Sequence, residues 1–234
     1  MLGFVDYKID AVVKFGGSLL EDEHRCKAAI DSLAAASQKG YRILVVPGGG
    51  PTDNAIEKLD RTYHFVSNTH HKACARAQDQ TGIMICDEFF STSLCPCENL
   101  EDVAEVLDNG KVAVILPSRI IFDMNPFERT WDITSDAMAA WFAWVTSAKR
   151  FIIFKSIDGI FEVDEDGIKK DLIKTISADT LMQMNSDVVD KCVAPFLLAK
   201  KMNAYIVNGN NQDDFLKIFD SADFHGTFVI GDSK

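Results

Sequence analysis

The chain has 234 residues, 47% of them hydrophobic and 25% charged, with a formal net charge of −11 at pH 7. That length suits one α/β domain with a substantial buried core. The acidic balance excludes a general binder of nucleic acid or anionic membrane, since both need a basic face, but it leaves room for a local positive pocket and an anionic small substrate.

No segment approaches the ~18 uninterrupted apolar residues of a membrane span. Met1 to Lys8 lacks the apolar run of a signal peptide, so a cytoplasmic location is expected. Six cysteines in a chain without an export signal predict free thiols. Cys95-Pro96-Cys97 is a C-x-C and not a C-x-x-C, and it reads as a loop carrying two reduced thiols. His70 and His71 are conceivable upstream partners for it, but no second pair stands at zinc-site spacing, and no protein metal site is expected.

In chain order, Ala11 to Phe15 is a short apolar run ending in Gly16-Gly17-Ser18, a buried strand entering a turn. Residues 22–39 place Cys26, Ala29, Ile30, Leu33 and Ala34 on one face of a helix closed by Gly40. Tyr41 to Val46 is a second strand, running into Pro47-Gly48-Gly49-Gly50-Pro51. Helices are predicted over Asp53–Leu59 and His70–Gly82, followed by a short strand over Ile83–Cys86. A helix over Leu100–Leu107 precedes a buried strand over Val112–Leu116, stopped by Pro117.

The second half repeats the alternation, with a helix over Asp136–Thr146 and a strand over Arg150–Lys155. Phe161–Val163 and Ile168–Lys170 flank the hairpin-like turn Asp164-Glu165-Asp166-Gly167. Residues 177–201 read as helical material broken near Asn185-Ser186-Asp187. Strands over Ala204–Val207 and Gly226–Ile230 close the chain. Strands separated by helices predict a parallel sheet covered on both faces. Ligands of such sheets bind at the carboxyl ends of the strands, where both glycine runs fall.

Four segments are candidates for chemistry. Gly16-Gly17 after a strand lets backbone N–H groups approach a phosphate, and Lys14 adds a positive charge nearby. Alone, that pair of glycines reads more simply as a tight turn. Gly48-Gly49-Gly50 is costlier to order as mere structure, and two such loops at equivalent places suggest two phosphate-bearing groups. Neither loop fits G-x-x-x-x-G-K-[ST] or G-x-G-x-x-G.

Trp131-Asp132-Ile133-Thr134-Ser135-Asp136 precedes an Ala-rich apolar helix. Structurally, Thr134 or Ser135 caps that helix and Asp136 favours its positive end. The functional reading adds phosphate binding at the helix start, with Asp132 and Asp136 orienting lysines or metal-bound phosphate. Lys155-Ser156-Ile157-Asp158-Gly159-Ile160-Phe161 is a strand end and turn able to grip a nucleotide. The five histidines accompany no G-x-S-x-G or other nucleophile pattern, which argues against a histidine-based hydrolase.

This ordered set resembles the amino acid kinase superfamily. The matching pieces are Val13 to Ser18, Val46 to Pro51, Asp132 to Ala137, Lys155 to Phe161, and Gly226-Thr227. Within it the chain looks most like the small aspartokinase-like group of the methanofuran pathway, whose kinase converts an aminomethylfuran-methyl phosphate to the diphosphate. That likeness rests on Trp131 to Asp136, on His71 to Gln80, and on the short length. Two features depart from the group: Lys72 follows His71, and Gln78 stands where an apolar residue is expected.

The resemblance implies a three-layer αβα sandwich with a mainly parallel central sheet. The acceptor would bind the N-terminal half, about 1–126, and ATP with Mg²⁺ the C-terminal half, about 127–234. It further implies that Lys14 stabilises the transferring phosphoryl group while Gly16, Gly17 and Ser18 line the phosphate path, joined by Thr134 and Ser135. Gly48, Gly49 and Gly50 would hold the acceptor. Asp136 would orient the lysines with Asp132 in the same cluster. Lys191 would be the second lysine, and Lys155, Asp158, Gly159 and Phe161 would contact the nucleotide.

A small anionic substrate and a homo-oligomer are expected, with no nucleic-acid or membrane partner. A carboxylate kinase and a non-catalytic nucleotide- or oxyanion-storage protein on the same fold are the rival readings.

Overall fold

The computed structural model describes residues 6–164, 168–184, 186–220 and 223–231. In chain order the elements are β1 (Ala11–Phe15), a 3₁₀ turn (Gly17–Glu21), α1 (Glu23–Gln38), β2 (Ile43–Pro47), α2 (Gly50–Tyr63) and α3 (Ser67–Ile85). Next come β3 (Leu94–Cys97), α4 (Leu100–Asp108), β4 (Val112–Ile115), α5 (Ser118–Met124), α6 (Ser135–Val145) and β5 (Phe151–Lys155). The chain then forms β6 (Phe161–Val163), β7 (Lys169–Leu172), β8 (Thr175–Ser177), α7 (Ala178–Met184) and α8 (Val193–Lys200). It ends with β9 (Ala204–Asn208), α9 (Gln212–Phe219) and β10 (Gly226–Ile230).

Among the described residues, one eight-stranded sheet runs in the order β3-β4-β2-β1-β5-β9-β10-β8, and β6 and β7 form a separate antiparallel pair. The sheet is parallel from β3 to β9. β10 turns antiparallel to β9, and β8 follows β10. The alternation of side chains along buried strands splits the core in two. Ala11, Val13, Phe15, Ile43, Val45 and Phe154 pack with Ile30 and Leu33 of α1 and Phe215 of α9. Val12, Leu44, Val46 and Ile153 pack on the other face with Phe142 of α6, Leu181 of α7, Leu197 of α8 and Val103 of α4. The result is the expected three-layer α/β sandwich. Phe15, Phe142 and Phe154 are each fully buried, and each such side chain contributes roughly 1.5–3 kcal/mol by leaving water.

Local signals set most helix ends. Asp22 caps α1 by accepting from Arg25 N at 2.9 Å, and Gly40 follows at φ +88°, a left-handed conformation that costs glycine nothing. Pro51 occupies the first turn of α2, where its missing N–H is no loss.

Several expectations are corrected. Ile83–Ile85 is the last turn of α3 and not a strand, and α3 begins at Ser67. The Cys95–Cys97 segment is edge strand β3 and not a loop, and Pro96 is tolerated because one side of an edge strand needs no ladder donor. α2 extends from Gly50 to Tyr63, beyond the predicted 53–59. α5, β8 and α9 were not anticipated. The expected break in 177–201 spans the 186–192 turn between α7 and α8; Asn185, the turn residues 165–167, and the first five residues of the segment read for a signal peptide all lie outside the described residues. No helix among the described residues is long and apolar enough to cross a membrane.

Candidate active site

β1 lies between β2 and β5, with Lys14 in register with Val46 on one side and Ile153 on the other. The carboxyl ends of these three strands therefore bring Lys14, the Gly48–Gly50 loop and Lys155 together. Lys14 shares the sheet face of Val12, and α6 begins on that face with Asp136 wholly enclosed.

Lys14 Nζ lies 2.8 Å from Asp136 Oδ1, and Lys155 Nζ lies 2.8 Å from Asp136 Oδ2. The Lys155 contact is a well-aligned hydrogen bond. Asp136 Oδ1 accepts no aligned bond, so the Lys14 contact is Coulombic. Burial pushes the Asp136 carboxyl up, but the charges of Lys14 and then Lys155 outweigh it and hold the group well below the usual carboxylate range. Burial, and then the like charge of Lys14, push the Lys155 ammonium down against the pull of Asp136. Two ammonium groups thus share one carboxylate at the strand ends.

The two glycine loops touch. A Cβ on Gly17 would lie 2.7 Å from Gly50 N, and one on Gly48 would lie 3.0 Å from Gly17 N. Gly50 itself is left-handed at φ +58°. Together with Lys14, Gly16, Ser18, Ser135 and Lys155 these loops line a cavity of about 280 Å³. Since backbone cannot yield as a side-chain tip can, Gly17→Ala is expected to cost about 1–3 kcal/mol and to lower turnover by parting the loops. Thermal unfolding and initial rates on the same sample check both effects.

Lys155 also lines a second cavity of about 500 Å³ with Ser156, Gly159, Phe161, Lys169 and the 186–188 turn. Ser18 Oγ and Ser156 Oγ, 3.3 Å apart, link the two spaces. Thr227 Oγ1 receives Ile160 N at 2.9 Å and donates to Ile173 O at 2.7 Å, which fixes the turn after β5. A Cβ on Gly159 would lie 2.5 Å from that hydroxyl. Asp158 accepts from Asn208 Nδ2 at 2.9 Å. Lys169 Nζ sits 5.4 Å from the Phe161 ring centre. A further cavity of about 510 Å³, between α3 and α5, contains no member of this cluster.

The structure thus gathers Lys14, Gly16, Gly17, Ser18, Gly48, Gly49, Gly50, Ser135, Asp136 and Lys155, with Asp158, Gly159 and Phe161 at the adjoining cavity or its turn. It leaves out three expected members, Asp132, Lys191 and Thr134. Thr134 does not line the cavity, and its backbone N and hydroxyl are both taken by Asp190. Asp132 is exposed, and its amide bonds back to Thr130 Oγ1 at 3.2 Å. Lys191 is exposed on the turn before α8, and the lysine that joins Lys14 on Asp136 is Lys155.

The place assigned to Asp132 is filled by Asp190. Its backbone N donates to Asp136 Oδ2 at 3.3 Å, and its carboxylate accepts from Thr134 N at 2.8 Å, from Ala137 N at 3.0 Å and from the Thr134 hydroxyl. Asp190, and not the side chain of Thr134 or Ser135, therefore caps α6. Burial and the nearby Asp136 charge push the Asp190 carboxyl up, against those hydrogen bonds. Asp53, which also lines the smaller cavity, was not foreseen either. Among the described residues no three His, Cys, Asp or Glu side chains gather as a metal site, so Cys95 and Cys97 do not combine with His70 and His71 in one.

Glycine backbone and paired ammonium groups at the ends of parallel strands define a phosphate-handling α/β enzyme. The family model described as the amino acid kinase family matches residues 11–208, and the chain belongs to that family; it is a kinase. It is 27% identical over 223 residues to the [5-(aminomethyl)furan-3-yl]methyl phosphate kinase of Methanocaldococcus jannaschii, covering 95% of this chain and 99% of that one. It is 24% identical over 247 residues to a uridylate kinase of Methanococcus vannielii, covering 95% and 100%. The uridylate kinase structure from Archaeoglobus fulgidus shares the fold with a TM-score of 0.72 at 18% identity, covering 94% and 100%.

Proposed function

We propose that the chain transfers the γ-phosphoryl group of ATP to a phosphomonoester of the aminomethylfuran-methyl phosphate type, forming a diphosphate and ADP. The observation that carries this reading is Asp136 bridging Lys14 and Lys155 beneath two abutting glycine loops. The near full-length likeness to the furan phosphate kinase supports the acceptor class.

Phosphoryl transfer requires in-line positioning and neutralisation of charge on the equatorial oxygens more than covalent chemistry by the protein. Lys14 and Lys155, fixed by Asp136, neutralise the transferring group. The N–H groups around Gly16 and Gly17 cradle it, and the Gly48–Gly50 loop holds the acceptor phosphate. The start of α6, capped by Asp190, keeps Asp136 in place. The larger cavity, framed by Gly159, Phe161 and Lys169, takes the nucleoside.

The cradle fits a polyphosphate, because Lys14, Lys155 and the backbone of both glycine loops line one cavity of about 280 Å³. Magnesium, when bound, neutralises phosphate oxygens, and it would be held mainly by those phosphates and water, since the described residues offer no cluster of three ligating side chains. An acceptor that is already a phosphate supplies its own anionic nucleophile, so no catalytic histidine is needed. The β,γ-bridging bond of ATP breaks as the acceptor oxygen bonds to phosphorus.

A coupled ADP-release assay tests the reading against phosphomonoesters, including aminomethylfuran-methyl phosphate and UMP, and against free amino acids. Turnover of a phosphomonoester is expected. Turnover with amino acids only would establish a carboxylate kinase instead.

A further inference from the structure

A hydrogen bond far from the lysine pair ties together two walls of the smaller cavity. One wall is the start of α2, which contributes Gly50, Asp53 and Asn54, and the other includes Ser135 at the start of α6. The walls are close, since a Cβ on Gly48 would lie 3.3 Å from Ser135 Oγ. Beyond the cavity, Trp131 Nε1, in the segment that enters α6, donates to Asp60 Oδ2 of α2 at 2.8 Å. At ~1.5 Å of rise per residue, Asp60 stands about 15 Å along α2 from Gly50, so this bond cannot touch the reacting atoms.

Packing alone does not require it. Trp131 is 37% exposed, and water could serve its N–H. Asp60 is held at its other oxygen as well, where Oδ1 accepts from Phe65 N at 2.9 Å and pins the turn into α3. His70 of α3 completes the group. Its ring centre lies 4.7 Å from that of Trp131, tilted by 42°, and its Nδ1 lies 3.5 Å from Asp60 Oδ2.

His70 is 7% exposed, and neither of its ring nitrogens has a hydrogen-bond partner. Buried polar atoms rarely stay unmatched in natural structures. In the tautomer with its proton on Nδ1, His70 is a donor in reserve for Asp60. When Trp131 withdraws, Asp60 Oδ2 turns to His70 and is not orphaned, so the clasp opens and closes at low cost.

The same segment is fastened again three residues on, where Thr134 N and its hydroxyl meet Asp190. That anchor belongs to the nucleotide side, because the 186–188 turn lines the larger cavity. Release of Trp131 therefore loosens the wall facing α2 and leaves the Asp190 anchor in place.

We infer that Asp60 and Trp131 are positioning residues for the acceptor: their bond sets the spacing of α2 and α6 and closes the acceptor end of the cavity when the acceptor is bound. This rests on the proposed assignment of the Gly48–Gly50 loop to the acceptor.

Trp131→Phe keeps a ring against His70 and removes the N–H. It is expected to raise KM for [5-(aminomethyl)furan-3-yl]methyl phosphate by about tenfold, the range of a hydrogen bond to a charged group, with KM for ATP and kcat little changed. Asp60→Asn, which leaves one oxygen for two donors, should show the same split. A purely structural role would lower the melting temperature and the active fraction without moving one KM selectively. In wild-type protein the acceptor, added without ATP, should slow hydrogen exchange across residues 126–133, and adenosine should not.

Unchanged acceptor KM in a folded Trp131→Phe protein would overturn the inference. So would exchange in 126–133 that ignores the acceptor, or that adenosine slows as much. The wild-type exchange result stands whether or not a variant folds. If wild type turns over only free amino acids, transfer to a phosphomonoester falls, and the same KM split and exchange measured with the amino acid decide the clasp separately.

Discussion

Lys14→Ala is expected to lower kcat by about 10²- to 10³-fold, the usual cost of removing a group aimed at developing transition-state charge, while the protein stays folded. The second half of that expectation is not obvious, because Lys14 is buried and paired. Its side chain is 6% exposed and sits 2.8 Å from Asp136 Oδ1. Removing one member of a buried pair is ordinarily severe, since it orphans the other. Here the orphan is already held: Asp136 keeps Lys155 at 2.8 Å and the Asp190 amide at 3.3 Å. The change also relieves Lys155 of the like charge that pushes its ammonium down. The folded state therefore loses one Coulombic contact and gains a better-ionised Lys155. The proposed transfer has no such compensation, because in it the transferring group would lose one of its two cations. Lys14→Arg should not restore the rate, as a planar guanidinium replaces a compact ammonium in a closed space. ADP release and thermal melting on the same samples separate the two effects. Full turnover by a folded Lys14→Ala protein would remove Lys14 from the mechanism.

How much of this was legible in the sequence depends on how local each feature is. β1, β2, β4 and β5 were readable because strands of a parallel sheet are buried on both faces and appear as unbroken apolar runs, as in Ala11–Phe15 and Ile43–Pro47. β3 was hidden because Cys95-Pro96-Cys97 carries the signature of a turn, and only its edge position makes proline acceptable. The start of α3 was missed because Ser67, Asn68 and Thr69 offer no apolar residue that would extend the helical periodicity back beyond His70. α9 did carry a signal, an Asn211 cap three residues before Asp214 and apolar Phe215, Ile218 and Phe219 at helical spacing.

In the site, Lys14 and the two glycine loops were legible because each follows directly from a strand end. Asp190 was not. Thr134-Ser135-Asp136 announces a helix start, and both Asp132 and Asp190 are acids able to serve it. Only the folding of the 186–192 turn against α6 selects the second. The choice of Lys155 over Lys191 follows in the same way, from the adjacency of β1 and β5 across a gap of more than a hundred residues.

Asp136→Asn is expected to cost about 3–5 kcal/mol of stability, and its pH dependence identifies the cause. The substitution leaves two buried ammonium groups facing each other with no anion between them, whereas Lys14→Ala leaves a paired carboxylate. The folded-state pKa of Asp136 lies below its ordinary value. Its contribution is therefore complete above about pH 4 and is lost as pH falls through the folded value. The variant has no such group, so its deficit relative to wild type should narrow in acid.

The alkaline side behaves similarly for a different reason. The Lys155 pKa is already depressed in the folded protein, with Asp136 opposing the shift. Without that carboxylate the depression deepens, the lysine sheds its proton at a lower pH, and the variant recovers stability earlier as pH rises. The deficit should thus be largest near neutrality and shrink in both directions. Urea unfolding midpoints of both proteins across this pH range measure it. A deficit that stayed constant with pH would mean that Asp136 stabilises the fold through packing or helix capping, and not through the charge it holds between the two lysines. Adding ATP at neutral pH supplies a further check, because its phosphates offer the missing negative charge and should narrow the same deficit.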